Sequence, residues 1–534
     1  MNTRKALYQY GYRRCADQGR SSPARHPVAV VGAGPVGLCT AIDLAQRGVP
    51  VVLLDDADRI GEGSRGICYA KRTLEILDRL GVADPCLEKG VTWRIGKVFQ
   101  NDDLLYAFDL LPEDGHKMPA FINLQQYYLE HALVERAAAL PNLEIRWRNK
   151  VIDLKRRNDG ATLTVETPEG PYDLDAEWVV AADGARSALR GMLGLAFQGE
   201  VFEDRFLIAD VKMKGEFPPE RWFWFDPPFH DGHSALLHKQ PDDVWRIDLQ
   251  LGPDADAKAE QTPERVVPRL RQMLGHDDFS LEWVSVYTFQ CRRLERFVHG
   301  RVVFAGDSAH QVSPFGARGA NSGIQDAENL AWKLALILKG EAPESLIESY
   351  DLERSAAADE NIGHSTRSTD FIAPRSAQEL RFRDATLSLA RHAPFAKRMV
   401  NSGRLSMPST YETPLSTPDR ETWSGSARLG APVPDAPMRD RSGRSVWLLE
   451  ALGGEETILH VPNGSQPPAG SRVLILGEDL IDEHGFFTQR FDTSPGSTYL
   501  VRPDQHLAAR WRHATPPLIE SASRRLRGIE GDHA

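Results

Sequence analysis

The sequence predicts a mixed α/β protein in several parts. Three observations carry that expectation. A strand, glycine turn, helix and second strand follow one another within thirty residues of Val28. Between about 204 and 290 the pattern turns to alternating, β-branched and aromatic residues. Beyond a Ser/Thr/Pro-rich stretch at 401–426, short apolar strands return.

Val28-Ala29-Val30-Val31 is a short apolar run ending in glycine, the mark of a buried parallel strand. A helical pattern follows through Leu38, Ile42 and Leu44 to Arg47-Gly48, then the strand Val51-Val52-Leu53-Leu54. Together they make a βαβ unit. Ile247-Asp248-Leu249-Gln250-Leu251 alternates, and Trp283, Val284, Val286 and Tyr287 are strand formers, so a mostly antiparallel sheet is inserted here. Val302-Val303-Phe304 precedes a glycine-rich loop and an amphipathic helix carrying Ile324, Ala327, Leu330, Ala331, Leu334, Ile337 and Leu338. The last part shows strand-like runs at 446–449, 473–476 and 499–501. Its pattern suits a small α/β, thioredoxin-like domain, which lacks Cys-x-x-Cys and therefore dithiol redox chemistry. The expected division is an N-terminal arm (1–26), a cofactor domain (27–400) with the sheet inserted at about 95–120 and 195–295, a linker (401–426) and the C-terminal domain (427–534).

At 534 residues the chain exceeds one hydrophobic core. Its 41% apolar and 26% charged content is ordinary for globular proteins. A net charge of −11 argues against nucleic acid as a partner. Only the arm is basic, with Arg4, Lys5, Arg13, Arg14, Arg20 and Arg25 against Asp17, and it reads as a segment lying on an acidic body. No secretory signal and no run of about 18 apolar residues is present. The five cysteines (15, 39, 68, 86, 291) form no metal or disulfide pattern and suit a cytoplasmic enzyme.

Three motifs carry chemistry. In Gly32-Ala33-Gly34-Pro35-Val36-Gly37 the first glycine makes the turn, the second admits a pyrophosphate and the third lets helix and strand pack, with phosphate at the helix N-terminus. Asp55 stands about 20 positions on, where an acid binds a ribose hydroxyl, completing a Rossmann-like dinucleotide signature. The second motif is the strand-terminal Asp183-Gly184-Ala185-Arg186, which alone would be read as a turn. The third runs from Gly306-Asp307-Ser308-Ala309-His310 to Pro314-Phe315-Gly316-Ala317-Arg318-Gly319-Ala320-Asn321 and feeds backbone N–H groups into a helix N-terminus.

In this order the motifs resemble the class A flavoprotein monooxygenases of the para-hydroxybenzoate hydroxylase type, over roughly residues 27–400. The nearest subgroup is the 3-(3-hydroxyphenyl)propionate hydroxylases, and more loosely pentachlorophenol monooxygenase and phenol hydroxylase. Leu429-Gly430-Ala431-Pro432 and Tyr499-Leu500-Val501-Arg502-Pro503-Asp504 resemble that branch's C-terminal domain. The resemblance implies FAD as cofactor. Gly32, Gly34, Pro35, Val36 and Gly37 would hold its pyrophosphate, and Asp55 its adenosine ribose, where the family usually has Glu. Arg65, beside Gly66 where alanine is commoner, would approach the flavin. Gln125 would lie near the flavin side chain, Asp183, Gly184 and Arg186 would serve FAD and NAD(P)H, and Gly306-Asp307 would meet the ribityl chain. Pro314 through Gly319, Ala320 and Asn321 would pass the ring.

The reaction so implied is hydroxylation of a small phenolic or hydroxy-aromatic acid with NADH or NADPH and O2, through a flavin C4a-hydroperoxide in a site that excludes water. No metal is implied, and a homodimer is the family's expectation. The phenol needs a base. His310 is one candidate, by its place beside the flavin loop; the other reading is a histidine satisfied beside Asp307. Arg246, in the inserted sheet, would meet a substrate carboxylate or form a salt bridge. Trp222-Phe223-Trp224-Phe225 reads as sheet core or pocket wall. Two other functions use the same motifs: a FAD-dependent reductase, dehydrogenase or epoxidase, separated by whether oxygen from O2 enters product, and a flavin-binding sensor that does not turn over.

Overall fold

The computed structural model describes residues 8–529 apart from 62–65, 216, 231, 253, 401–404, 465–467, 469 and 471. Arg65 therefore lies outside the described residues. Five parallel strands form the centre of the cofactor domain, in the order Val302–Phe304, Tyr172–Ala181, Ala24–Val31, Val51–Asp55, Leu143–Trp147. Val28 to Val31 pair with Val51 to Leu54 on one side and Trp178 to Ala181 on the other. Both flanks are covered, which is why these strands are apolar on both faces. Helices Pro35–Gln46 and Gly319–Leu338 pack against each other over this sheet.

The inserted sheet has eight strands, antiparallel except where Arg221–Phe225 runs parallel to Ile95–Gln100. It draws on 95–109 and 198–293, plus the two-residue strand His310–Gln311. Neighbours in register share a face. Trp222, Leu237, Ile247, Ala209 and Val284 form one such row. That face packs on Val266 and Leu270 of the helix Pro263–Leu274. The other face carries the row Arg221, His238, Arg246, Asp210 and Trp283, and the next row Phe223, Leu236, Asp248 and Ile208. The aromatic run thus serves both sides, with Trp222 and Trp224 in the outer core and Phe223 and Phe225 on the inner face.

The C-terminal unit holds a four-stranded sheet ordered Val473–Ile475, Thr457–His460, Thr498–Val501, Leu507–Trp511. The first two are parallel and the rest antiparallel, a thioredoxin-like arrangement. The strand expected over 446–449 stops at Trp447, and Leu448–Leu452 is a helix. Asp435 explains the switch: its carboxylate accepts from Leu449 N–H at 3.1 Å and supports the first turn. The expected linker is not free-standing, because Tyr411 N–H bonds Gly430 and Thr417 N–H bonds Ala508. The unit is clamped to the cofactor domain by buried ions. Arg502 forks onto Glu353 at 2.9 and 2.9 Å and onto Asp504 at 2.6 Å. Lys333 meets Glu353 at 2.8 Å, and Trp332 donates to Asp504 at 3.0 Å. The arm lies along the cofactor domain through Tyr8 stacked on His131, Tyr10 stacked on Trp147, and Asp17 paired with Arg146 and His26.

Candidate active site

The three motifs stand at the C-terminal ends of adjacent parallel strands, where open α/β sheets bind ligands. Gly32 has φ +106°, and a Cβ there would meet Ala182 O at 2.4 Å, so only glycine lets the first motif lie against the second. Gly37 is closer still: a Cβ would fall 1.9 Å from Gly32 O. At Gly34 a Cβ would meet nothing within 4 Å, so the face of this turn is open. Gly34 caps the helix Pro35–Gln46 without a side-chain bond, and no acid stands in its first turn. The helix Gly319–Leu338 starts the same way. Two helix N-termini therefore keep backbone N–H groups available to anions. Val36 joins them, since a Cβ on Gly306 or Gly323 would lie 2.8 or 2.6 Å from its Cγ2.

The second and third motifs are stitched by side chains. Arg190 donates to Ser308 O at 3.2 Å and Ala185 O at 2.8 Å, and Gln311 donates to Ala185 O at 3.1 Å. Asp183 accepts from Leu189 N–H through Oδ2, while Oδ1 is buried without a partner and burial raises its carboxyl. Gln125 likewise keeps a buried, unpartnered Oε1 while its amide reaches Pro241 O at 3.3 Å. Asp307 and Arg186 are exposed, and Gly184 has φ +74° with open space where a Cβ would stand.

Asp55 departs from the simple picture of a ribose ligand. Its carboxylate accepts from Ala33 N–H at 2.6 Å and Ala57 N–H at 2.9 Å, tying the glycine turn to its own strand. Burial raises its pKa against those bonds. Each oxygen retains a lone pair, so a ribose contact remains compatible. Asn321 is also committed by its side chain. It donates to Cys68 O (2.9 Å) and Ala317 O (2.5 Å) and accepts from Ala70 N–H (2.9 Å) and Thr73 Oγ1 (2.6 Å). Its role is to fasten the loop and helix start to the strand Cys68–Ala70, leaving only its backbone for a ligand.

The two residues proposed for catalysis are both engaged in the framework. His310 is 1% exposed and its Nε2 lies 2.6 Å from Asp326 Oδ2, which also accepts from Gly306 N–H. Arg354 completes the cluster on Asp326 Oδ1 at 2.6 Å. The histidine's Nε2 is engaged by Asp326, while its Nδ1 is buried without a partner among the described residues. Arg246 is forked onto Asp210 at 2.9 and 3.2 Å, so the salt bridge, not a substrate carboxylate, takes its charge.

What sequence reading missed lies beside them. The inner face of the inserted sheet meets the cofactor domain where Asn123 donates to Lys239 O at 2.8 Å and Trp93 stands edge-on to His238. Phe315 of the glycine loop packs edge-on to Phe206 at 4.9 Å. Arg221, Arg246 and Asp248 are close enough to Cys68 to bias its thiol, which burial pushes up to about 12. Arg221 and Asp248 thus stand near the strand that Asn321 fastens to the helix Gly319–Leu338. The signal available was the period-two spacing of 221, 223 and 225 with 246, 248 and 250.

Glycine cradles, two uncapped helix N-termini and orphaned acceptors on Asp183 and Gln125 fit a dinucleotide, and the polar inner face stands beside the strand Cys68–Ala70. That arrangement defines a dinucleotide-dependent enzyme. The chain belongs to the family described as FAD binding domain, which matches residues 25–365. It is 29% identical to a flavin-dependent monooxygenase of Mycobacteroides abscessus, over 90% of this chain and 96% of that one. A 3-(3-hydroxy-phenyl)propionate/3-hydroxycinnamic acid hydroxylase of Mycolicibacterium smegmatis is 29% identical over 73% and 69%. A 12-dehydrotetracycline 5-monooxygenase/anhydrotetracycline 6-monooxygenase of Streptomyces rimosus is 29% identical over 90% and 95%. The crystal structure of the flavin-dependent monooxygenase PieE with FAD and substrate shares the fold, with a TM-score of 0.81 at 22% identity over 95% of this chain and all of that one.

Proposed function

We propose that this protein is an FAD-dependent monooxygenase that uses NAD(P)H and O2 to hydroxylate a phenolic or hydroxy-aromatic substrate. The observation that carries the reading is the polar inner face of the inserted sheet, which stands beside the strand Cys68–Ala70 of the cofactor domain. A cradle alone would serve any flavoprotein, whereas a buried row of ionisable groups beside it serves a polar, ring-sized substrate. FAD, when bound, supplies the electron transfer and oxygen activation. The glycine turn and its helix hold the pyrophosphate, with Asp55 and Asp183 at the sugar and linker. The loop from Pro314 to Asn321 offers N–H groups to a ring whose negative charge the helix N-terminus stabilises. Phe206, Phe223, Phe225 and Phe315 exclude water. Names among the relatives include a 3-(3-hydroxy-phenyl)propionate and an anhydrotetracycline, and the aromatic inner face suits ring-bearing substrates. Five unpaired cysteines fit a reducing compartment.

The test is NADH and NADPH consumption by the purified holoprotein against a panel of phenols and hydroxy-aromatic acids under 18O2. Accelerated consumption with labelled product is the expected result. Acceleration yielding only H2O2 identifies a mimic that triggers reduction without being hydroxylated. Bound FAD with no acceleration by any member would overturn the aromatic assignment.

A further inference from the structure

Among the described residues, two charged groups on the inner face are left over by the framework, beside a His238 whose Nδ1 is also buried without a partner. Arg221 is 5% exposed, yet among the described residues its guanidinium makes no hydrogen bond and no ion pair, only a 5.7 Å approach to the Phe223 ring. Asp248 makes no hydrogen bond or ion pair either, and its Oδ1 is buried without a partner. Its side chain is deep but not sealed, keeping some accessible surface, so it borders an interior space. An unpaired buried charge costs several kcal/mol, and each orphaned buried polar atom calls for an explanation. The neighbouring Arg246 is forked onto Asp210 and acts on Asp248 through space.

The two orphans are complementary and share one face. Arg221 pairs across the sheet with His238, and Asp248 pairs with Leu236 two residues along the same intervening strand. Strand spacing puts their Cα atoms roughly 12 Å apart on that face, a separation that one substituted aromatic ring can span.

Resting on the monooxygenase reading above, we propose that Asp248 is the base that takes the phenolic proton of the substrate and Arg221 the cation that holds the resulting oxyanion. The O–H bond breaks, its proton passes to an Asp248 oxygen, and the electron pair stays on the phenolic oxygen to enrich the ring. After oxygen enters the ring, the C–H proton at the attacked carbon is lost to solvent and the phenolic oxygen recovers its proton from Asp248. No further oxidant or reductant is needed for this step.

The surroundings suit that task. Burial pushes the Asp248 carboxyl up to about 6, with Asp210 adding to the rise and Arg246 and Arg221 opposing it. The charged and titratable groups acting on it are Arg246, Asp210, Arg221 and Cys68, while Tyr106 lies by Arg221, Tyr287 by Arg246 and His238 by both arginines. His238 is held far below its ordinary value by burial and by Arg221 and Arg246, so it is neutral across the working range. Cys68 and Tyr106 are pushed upward by burial. An acid limb near pH 6 is therefore the expected signature of Asp248.

The test uses the FAD holoenzyme with D248N, D248E, R221M and R221K, each first checked for bound flavin and its native visible spectrum. With the best phenol from the panel, D248N loses about 10²-fold or more in hydroxylation, the usual yield of a positioned base. It also loses the acid limb near pH 6, which D248E restores. In a separate equilibrium titration with 4-nitrophenol, wild type and R221K show the bound phenolate band and R221M binds at least tenfold more weakly. Unchanged hydroxylation and pH limb in D248N would overturn the base; equal phenolate binding by R221M would overturn the anion site. If wild type turns over no phenol, the function reading fails, while the 4-nitrophenol titration still decides the anion site.

Discussion

Two glycines three residues apart should answer the same substitution in opposite ways. In Gly37→Ala the new methyl would stand 1.9 Å from Gly32 O, against the 3.4 Å at which ordinary contact begins. Neither partner yields easily, because Gly37 to Ala45 are buried and Gly32 is itself pressed against Ala182. Overpacking against side chains costs about 1–3 kcal/mol, and backbone against backbone stands at or above the top of that range. Gly34→Ala meets no atom within 4 Å, and its backbone at φ −76° suits any residue. The apoprotein should stay within about 1 kcal/mol of wild type, a less mobile unfolded chain offsetting alanine's poorer fit at the N-cap. Its methyl, however, would block the approach of a pyrophosphate to the helix N–H groups. Loss of two charge-assisted hydrogen bonds, at roughly 1.5–3 kcal/mol each, weakens FAD by about a hundredfold to ten-thousandfold. The assay is thermal unfolding of the apoproteins beside FAD titration by flavin fluorescence. A Gly34→Ala protein that binds FAD like wild type, or that unfolds like Gly37→Ala, would refute the reasoning.

Other outcomes follow from the same geometry. Arg502→Met leaves Glu353 and Asp504 buried without their shared partner and should cost about 3–5 kcal/mol, read as early release of the C-terminal unit in limited proteolysis. Both carboxylates are held below their ordinary range despite burial, Glu353 chiefly by Arg502 and Lys333 and Asp504 by Arg502 and His506. Their stabilisation is therefore complete above the unfolded values near 4 and is lost as pH falls below that, so acid denaturation should begin at higher pH in Arg502→Met. Asn321→Ala strands two donors and two acceptors and should cost roughly 2–4 kcal/mol, with weakened FAD retention on gel filtration. His310→Gln should lower the melting temperature by several degrees while leaving the pH dependence of hydroxylation in place, whereas a shifted pH limb would make His310 part of the proton path.

The cofactor side was largely legible because its requirements are local. Glycine spacing, a strand before and a helix after are read from adjacent residues, and Gly32, Gly34 and Gly37 stand where the turn demands them. Asp55 was legible as an acid at the strand end but not as a brace for Ala33, since that bond depends on the shorter side chain reaching back to the turn. Asn321 looked like a flavin contact; its four side-chain bonds run to segments as far as 253 residues away in sequence. The substrate side was less legible for the same reason. Arg246 and Arg221 are indistinguishable as arginines in strands. Register alone, placing Asp210 opposite Arg246 and His238 opposite Arg221, decides which cation is spent and which is spare.

The order of the central strands also constrains how the molecule comes into being. The first strand lies between partners ending at Asp55 and Ala181, and the outermost of these parallel strands is completed at Phe304. The helix that closes the ring site ends at Leu338, and the anchor that fixes the C-terminal unit arrives only with Arg502 and Asp504. Such long-range pairing is slow to form, and partial chains expose apolar strands on unfinished edges. An emerging chain thus carries the phosphate turn for most of its synthesis before it owns a place to put the ring. Flavin that binds the folded state alone joins a nearly finished fold and adds to its stability in proportion to its concentration.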